Sequence, residues 1–214
     1  MSFLLTSKQY MEYMERAAQK IAISGEYISA LDAATGDGDH WVNLNMGFIK
    51  ILESKDALAE LDIAPCFKQI GMIMMNTIGG SSGVLYGGAY MAAAKVISTP
   101  AIDARGLCDA LASMANDMMK RGKSEPGYKT MIDALYPASE AYREALNQNF
   151  SDRKALEAMK AAALDGAEST KAMKAFRGRA SYQPDKGVGH LDPGAVTMSY
   201  QLEVLADYII EEVL

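Results

Sequence analysis

The sequence predicts an all-α protein, and three observations carry the prediction. Apolar residues recur at helical spacing along nearly the whole chain. Runs of strict apolar–polar alternation, which would mark half-buried strands, are scarce. Both ends carry an apolar stripe: Tyr10, Met14, Ala17 and Ile21 near the start, and Met198, Leu202, Leu205, Ile209 and Val213 near the finish.

The first helix opens on Thr6, with Gln9 three positions later as a capping box. Periodicity then places helices over about 41–54, 63–78, 82–98, 103–121, 130–148 and 152–174, before the stripe that ends at Val213. That makes eight helices and no convincing sheet. Most of the fifteen methionines fall on these stripes, as flexible filler between helices. Cys66 and Cys108 sit in separate apolar stretches without a ligand spacing, and read as reduced core residues.

A chain of 214 residues with 50% apolar content suits one domain, spanning 1–214, with a long lid. The lid candidate is the longest stretch without periodicity, Arg177 to Gly194, interrupted by Gly178, Pro184, Gly187, Gly189 and Pro193. The net charge of −6 excludes a general nucleic-acid binder, which would show a basic footprint. Phe3-Leu4-Leu5 is too short for a signal core or a membrane span, so a cytoplasmic protein without a membrane partner is expected. An acidic chain that binds phosphate needs local compensation from metal ions, helix N-termini, Arg or Lys.

Four segments break the helical pattern. Leu31 to His40 carries Asp32, Asp37 and Asp39, followed by Asn43 and Asn45. Three carboxylates so placed repel one another unless a hard cation such as Mg²⁺ sits among them. The plainer alternative is a polar turn with Asp39 capping the next helix. An EF-hand fails because Trp41, Val42 and Phe48 occupy its ligand and Gly positions. A dinucleotide fingerprint fails because Trp41 replaces its third Gly.

Gly79-Gly80-Ser81-Ser82-Gly83 precedes a helix, where small residues let backbone N–H groups approach a phosphate, although taken alone it reads first as a tight helix–helix turn. It is no Walker A loop, since Ala89 stands at the Lys position. Arg121-Gly122-Lys123-Ser124-Glu125-Pro126-Gly127-Tyr128-Lys129-Thr130-Met131 is basic and turns at Pro126-Gly127. The fourth segment, Arg177 through Gly194, pairs Arg177 with Arg179 beside Gly178, an arrangement suited to bidentate phosphate contact. Both histidines, His40 and His190, fall inside these Asp/Gly segments, as general-base candidates or as plain hydrogen-bonding residues.

Taken in order, Gly36-Asp37-Gly38-Asp39-His40, Gly79-Gly80-Ser81-Ser82-Gly83, Gly127-Tyr128-Lys129-Thr130-Met131, Gly178-Arg179-Ala180-Ser181-Tyr182 and Gly189-His190-Leu191-Asp192-Pro193-Gly194 resemble the nucleotide-binding L subunit of dihydroxyacetone kinases. The resemblance implies a closed antiparallel barrel of eight helices with the nucleotide at one end. It implies that Asp32, Asp37 and Asp39 ligate two Mg²⁺ ions, with ADP or ATP as the nucleotide. His40, Asn43, Ser81 and Ser82 match positions beside the nucleotide and its phosphates. Gly122 and Met131 match the adenine border, Arg179 a catalytic contact to the phosphates, and Asp192, Pro193 and Gly194 the lid closure.

The same resemblance implies partners. A separate K subunit would hold a short ketose covalently on a histidine, and a phosphohistidine carrier of the sugar phosphotransferase system would recharge bound ADP. A homodimer is compatible with it. Tyr128, Trp41 and the stretch Gln183 to Gly187 depart from the family pattern. Two alternatives keep the nucleotide site: an L-type subunit for another small sugar, and a non-catalytic nucleotide sensor that regulates a transcription factor.

Overall fold

A computed structural model describes residues 3–214. Among the described residues the regular structure is helical, and the only strand-like pairing is an isolated antiparallel bridge, Leu5 to Ile102. Ten α-helices appear: α1 Ser7–Ile23, α2 Gly25–Thr35, α3 His40–Leu52, α4 Lys55–Ala59, α5 Ile63–Thr77, α6 Gly80–Val96, α7 Ala104–Gly122, α8 Ile132–Asn147, α9 Asp152–Ser169 and α10 Pro193–Tyr208. A π-helical turn, Ile209–Val213, prolongs α10, and 3₁₀ turns occupy Thr170–Ala172 and Arg179–Tyr182.

The expected count of eight is therefore two short. Helix α4 has five residues with Leu58 alone buried. Helix α2 buries Gly25, Ile28, Asp32 and Thr35, and two of those four are polar. A helix row written in polar residues leaves no trace in apolar periodicity. One consequence touches the site: Asp32 lies in the last turn of α2, and the non-helical loop is confined to Gly36–Asp39.

Local chemistry explains the helix ends. Thr6 and Gln9 form the capping box of α1. Asp103 accepts from the Gly106 N–H at 2.8 Å to cap α7. Asp192 accepts from the Ala195 N–H at 2.7 Å to cap α10, and Pro193 takes the first helical position, where its missing N–H costs nothing.

Helix packing follows a continuous succession. Helix α1 packs on α3, α3 on α5, α5 on α6, α6 on α7, α7 on α8, α8 on α9, α9 on α10, and α10 on α1. Met11, Met14, Met74, Met118 and Met159 are buried in the interior, beside Tyr10, Tyr86 and Tyr90. The tyrosine hydroxyls are satisfied there: Tyr10 and Tyr90 share a hydrogen bond of 2.8 Å, and Gln201 donates to Tyr86 at 2.9 Å. Both cysteines are free and buried.

The α8–α9 crossing is very close for a specific reason. Pro137 inside α8 has no N–H to offer the Asp133 carbonyl one turn back. Gly166 of α9 presses against that carbonyl, where a Cβ would come to 2.0 Å from the oxygen. This crossing anchors Asp133, whose carboxylate holds the loop between α7 and α8.

Candidate functional site

One cavity of about 630 Å³ gathers the segments that the sequence singled out. Its volume falls within the range usual for small-ligand sites, roughly 300–1,000 Å³.

The acidic wall is built by the α2–α3 junction. One carboxylate oxygen from each of Asp32, Asp37 and Asp39 lies within 4.8 Å of the other two. Asp32 is buried, while Asp37 and Asp39 are exposed. Asp39 makes no side-chain cap on α3. Asp32 performs that task, accepting from the His40 N–H at 2.9 Å. The capping alternative for Asp39 is thus wrong in this fold, and its carboxylate is free to face the cavity. An all-oxygen donor set of this kind fits a hard divalent cation such as Mg²⁺.

Behind this wall, His40 Nε2 lies 2.9 Å from Thr197 Oγ1. Thr197 donates its own proton to the Gly194 carbonyl at 3.1 Å, so the pair is satisfied when His40 carries its proton on Nε2. Burial lowers the His40 pKa, and the carboxylates of Asp32 and Asp39 work against that shift.

Helix α6 supplies the next wall. Gly80 has a φ of +66°, which only glycine adopts freely, and it starts the helix there. Ser81 and Ser82 occupy the first turn, where N–H groups lack intrahelical partners. Asn43 of α3 stands against Gly79, its Oδ1 3.0 Å from where a Cβ would sit.

Opposite, the segment between α7 and α8 contributes Gly122, Ser124, Thr130 and Met131, and Leu85 of α6 adds an apolar face. Asp133 shapes this α7–α8 loop. Its carboxylate accepts from the N–H groups of Gly127, Lys129 and Thr130, the last at 2.7 Å. Burial raises its pKa and those backbone donors oppose the rise.

The fourth side comes from the segment before α10. Arg179 pairs with Asp37 at 2.5 Å. Gln183 donates to the Ala34 carbonyl at 3.3 Å, and Arg177 donates to the Lys123 carbonyl at 2.7 Å. Asp192, Pro193 and Gly194 line the cavity, but Pro193 and Gly194 form the first turn of α10, so the non-helical segment ends at Asp192. Burial pushes the Asp192 carboxyl up to about 7, with Asp133 and Asp32 acting in the same sense, while the Ala195 N–H and the Lys129 ammonium hold it down.

The structure therefore brings Asp32, Asp37, Asp39, His40, Asn43, Ser81, Ser82, Gly122, Met131, Arg179, Asp192, Pro193 and Gly194 to one cavity. His190 is exposed and does not line it. Sequence reading missed Thr197, Asp133 and Lys129 as site-building residues. The first two lie on regular helical stripes and look like ordinary polar positions. Lys129 lies inside the basic segment, but nothing in the sequence marks it as buried.

This helical chain belongs to the DAK2 domain family, whose pattern matches residues 34–207. Its relatives include the "PEP-dependent dihydroxyacetone kinase, ADP-binding subunit DhaL" of Escherichia coli strain K12, 36% identical over 94% of this chain and 97% of that protein. The "PTS-dependent dihydroxyacetone kinase, ADP-binding subunit DhaL" of Lactococcus lactis is 30% identical over 96% of this chain and 100% of that protein. Among solved structures, the dihydroxyacetone kinase from C. freundii in complex with AMP-PNP and Mg²⁺ superposes with a TM-score of 0.71 at 29% identity. That match covers 92% of this chain but 33% of the longer one.

Proposed function

We propose that this chain is the nucleotide-binding subunit of a dihydroxyacetone-type kinase, which passes a phosphoryl group from Mg–nucleotide to a short ketose held on a separate K subunit. The observation that carries this reading is the convergence of three carboxylates, a small-residue helix N-terminus and Arg179 on one cavity. The names of the E. coli and L. lactis relatives, matched over nearly their whole lengths, support it.

Asp32, Asp37 and Asp39 hold Mg²⁺, two ions in all. Bound there, the metal neutralises phosphate charge and orients the phosphates. The N–H groups of the first turn of α6, with Ser81 and Ser82, receive phosphate oxygens. His40 and Asn43 flank the nucleotide, and Gly122 and Met131 border the adenine. Arg179 is the catalytic cation, turning from Asp37 to the charge that develops on the transferring group. The segment from 177 acts as a lid, and Asp192, Pro193 and Gly194, at the start of α10, form its fixed end beside the nucleotide.

The helices form a closed antiparallel barrel of eight, a reading supported by the succession of packed pairs, with α2 and α4 additional to the eight. The protein works in the cytoplasm, in keeping with its free cysteines. Among the described residues, no helix is long and apolar enough to cross a membrane. Bound ADP is recharged by a phosphohistidine carrier of the phosphotransferase system, and the E. coli and L. lactis names favour this mode over ATP exchange.

The test follows sugar phosphate formation. The isolated chain binds Mg–ADP and phosphorylates no free triose at a useful rate. Adding the K subunit and a phosphoryl donor restores transfer, because the bound sugar then meets the phosphate in line. Rapid turnover of free dihydroxyacetone by this chain alone would overturn the subunit reading.

A further inference from the structure

Lysine is almost never fully buried unless it is paired. Lys129 is 1% exposed, and its backbone has a φ of +61°, a conformation that costs a residue with a Cβ. Two departures from ordinary behaviour thus coincide at one residue on the cavity wall.

The contacts of its side chain explain both. The Lys129 ammonium donates to the Thr170 carbonyl at 2.5 Å and to the His190 carbonyl. Those carbonyls belong to the 3₁₀ turn that leads into the segment before α10 and to the end of that segment. The side-chain stem passes under Gly187, where a Cβ would sit 3.2 Å from Lys129 Cε. Burial lowers the Lys129 pKa, and Asp192, Asp133 and Asp185 oppose the shift. One cation therefore bridges two carbonyls from separate stretches of chain, that of Thr170, which also accepts from the Met173 N–H at 3.1 Å, and that of His190.

Backbone bonds surround this point. Phe176 N–H donates to the Tyr128 carbonyl at 3.2 Å, Ala175 N–H to Lys186 at 2.9 Å, and Gly189 N–H to Lys171 at 2.8 Å. Asp192 N–H donates to Thr170 Oγ1 at 2.9 Å. The tip, by contrast, is held to the rest of the molecule by exposed groups: Arg179 to Asp37, Gln183 to Ala34 and Arg177 to Lys123.

We propose that Lys129 is a positioning residue that locks the two ends of the 173–192 segment to the α7–α8 loop, so that only the tip, 177–185, opens for ligand exchange. The structural part of this inference stands alone; its consequence for nucleotide exchange rests on the proposed function. With the base locked, opening of the tip leaves the cavity walls at Gly122, Met131 and Asp192 in place. Without the lock, the whole segment swings.

Hydrogen exchange on the ligand-free full chain tests the lock. In Lys129→Met, which keeps the length of the stem, the amides of Ala175, Gly189 and Asp192 should exchange at least about ten-fold faster, as local openings do when an anchoring contact is removed. The amides in the middle of α5 and α6 should not change. Unchanged exchange at the three base amides overturns the proposal. Equal acceleration in α5 and α6 overturns it too, because Lys129 would then serve global stability alone. Should Lys129→Met fail to fold, Lys129→Gln keeps a polar but shorter side chain that cannot reach both carbonyls, and the same three amides should speed up or the proposal falls.

The second measurement is Mg–ADP dissociation. Lys129→Met should release it at least about ten-fold faster, within the usual range of couplings between a ligand site and a structural element. An unchanged rate in a variant whose base amides have opened overturns the positioning role. If the parent itself binds no Mg–ADP, the proposed function falls, while hydrogen exchange still decides the lock.

Discussion

Asp37 meets Arg179 across the mouth of the cavity, and both side chains are substantially exposed, 38% and 66% respectively. An ion pair that open to water contributes at most about 1 kcal/mol, so it does not hold the fold. It keeps a guanidinium beside the carboxylate cluster of Asp32, Asp37 and Asp39. Asp37→Asn removes a ligand atom with little structural cost. Isothermal titration should show Mg–ADP affinity reduced by at least roughly 10- to 100-fold. The ligand-free melting temperature should stay close to that of the parent, and Asp39→Asn should behave alike. Undiminished binding in both variants would place the metal elsewhere. These aspartates were legible because three carboxylates within eight positions demand an explanation. Asp133 and Lys129 were not, because their chemistry depends on what the fold places around them.

At the level of elements, α8 and α9 show how a close crossing serves the site. Pro137 frees the Asp133 carbonyl and Gly166 receives it, and the Asp133 side chain then organises the α7–α8 loop. Gly166→Ala would put a methyl 2.0 Å from a backbone oxygen that cannot rotate away. Denaturant unfolding should show a loss of about 1–3 kcal/mol or more, the usual cost of overpacking. Mg–ADP binding should weaken as the α7–α8 loop shifts. A neutral substitution would mean that the two helices can separate freely. The helices with long apolar stripes were legible to within a few residues, and so was the capping box of α1. Helix α2 was hidden because Asp32 and Thr35 occupy its inner face, and a polar inner face is what a site requires.

For the whole molecule, the buried Asp192 should leave a mark on stability. Folding raises its carboxyl from 3.8 to about 7. The stability that the protonated form contributes is complete below about pH 4 and is lost as pH rises through about 7. The ligand-free parent should therefore lose melting temperature across that window relative to Asp192→Asn, whose side chain does not titrate. Parallel curves for the two proteins would show that the carboxyl is ionised throughout.

Helical periodicity, capping residues and the order of the Asp/Gly segments can be read along the chain because each is a local property, decided within a few residues. Fold class and the list of chemically active segments follow from them. Their meeting cannot be read that way. His40 and Thr197 lie 157 positions apart, and Gln183 and Ala34 149, and the sequence holds no distance between them. Tertiary packing brings them together, since an apolar stripe is satisfied by many neighbours and only the assembled helices select one. The same packing turned Lys129 from a surface charge in a basic segment into a buried clamp between two carbonyls. A side chain's role is set by its surroundings, and those exist only once the helices have closed on one another.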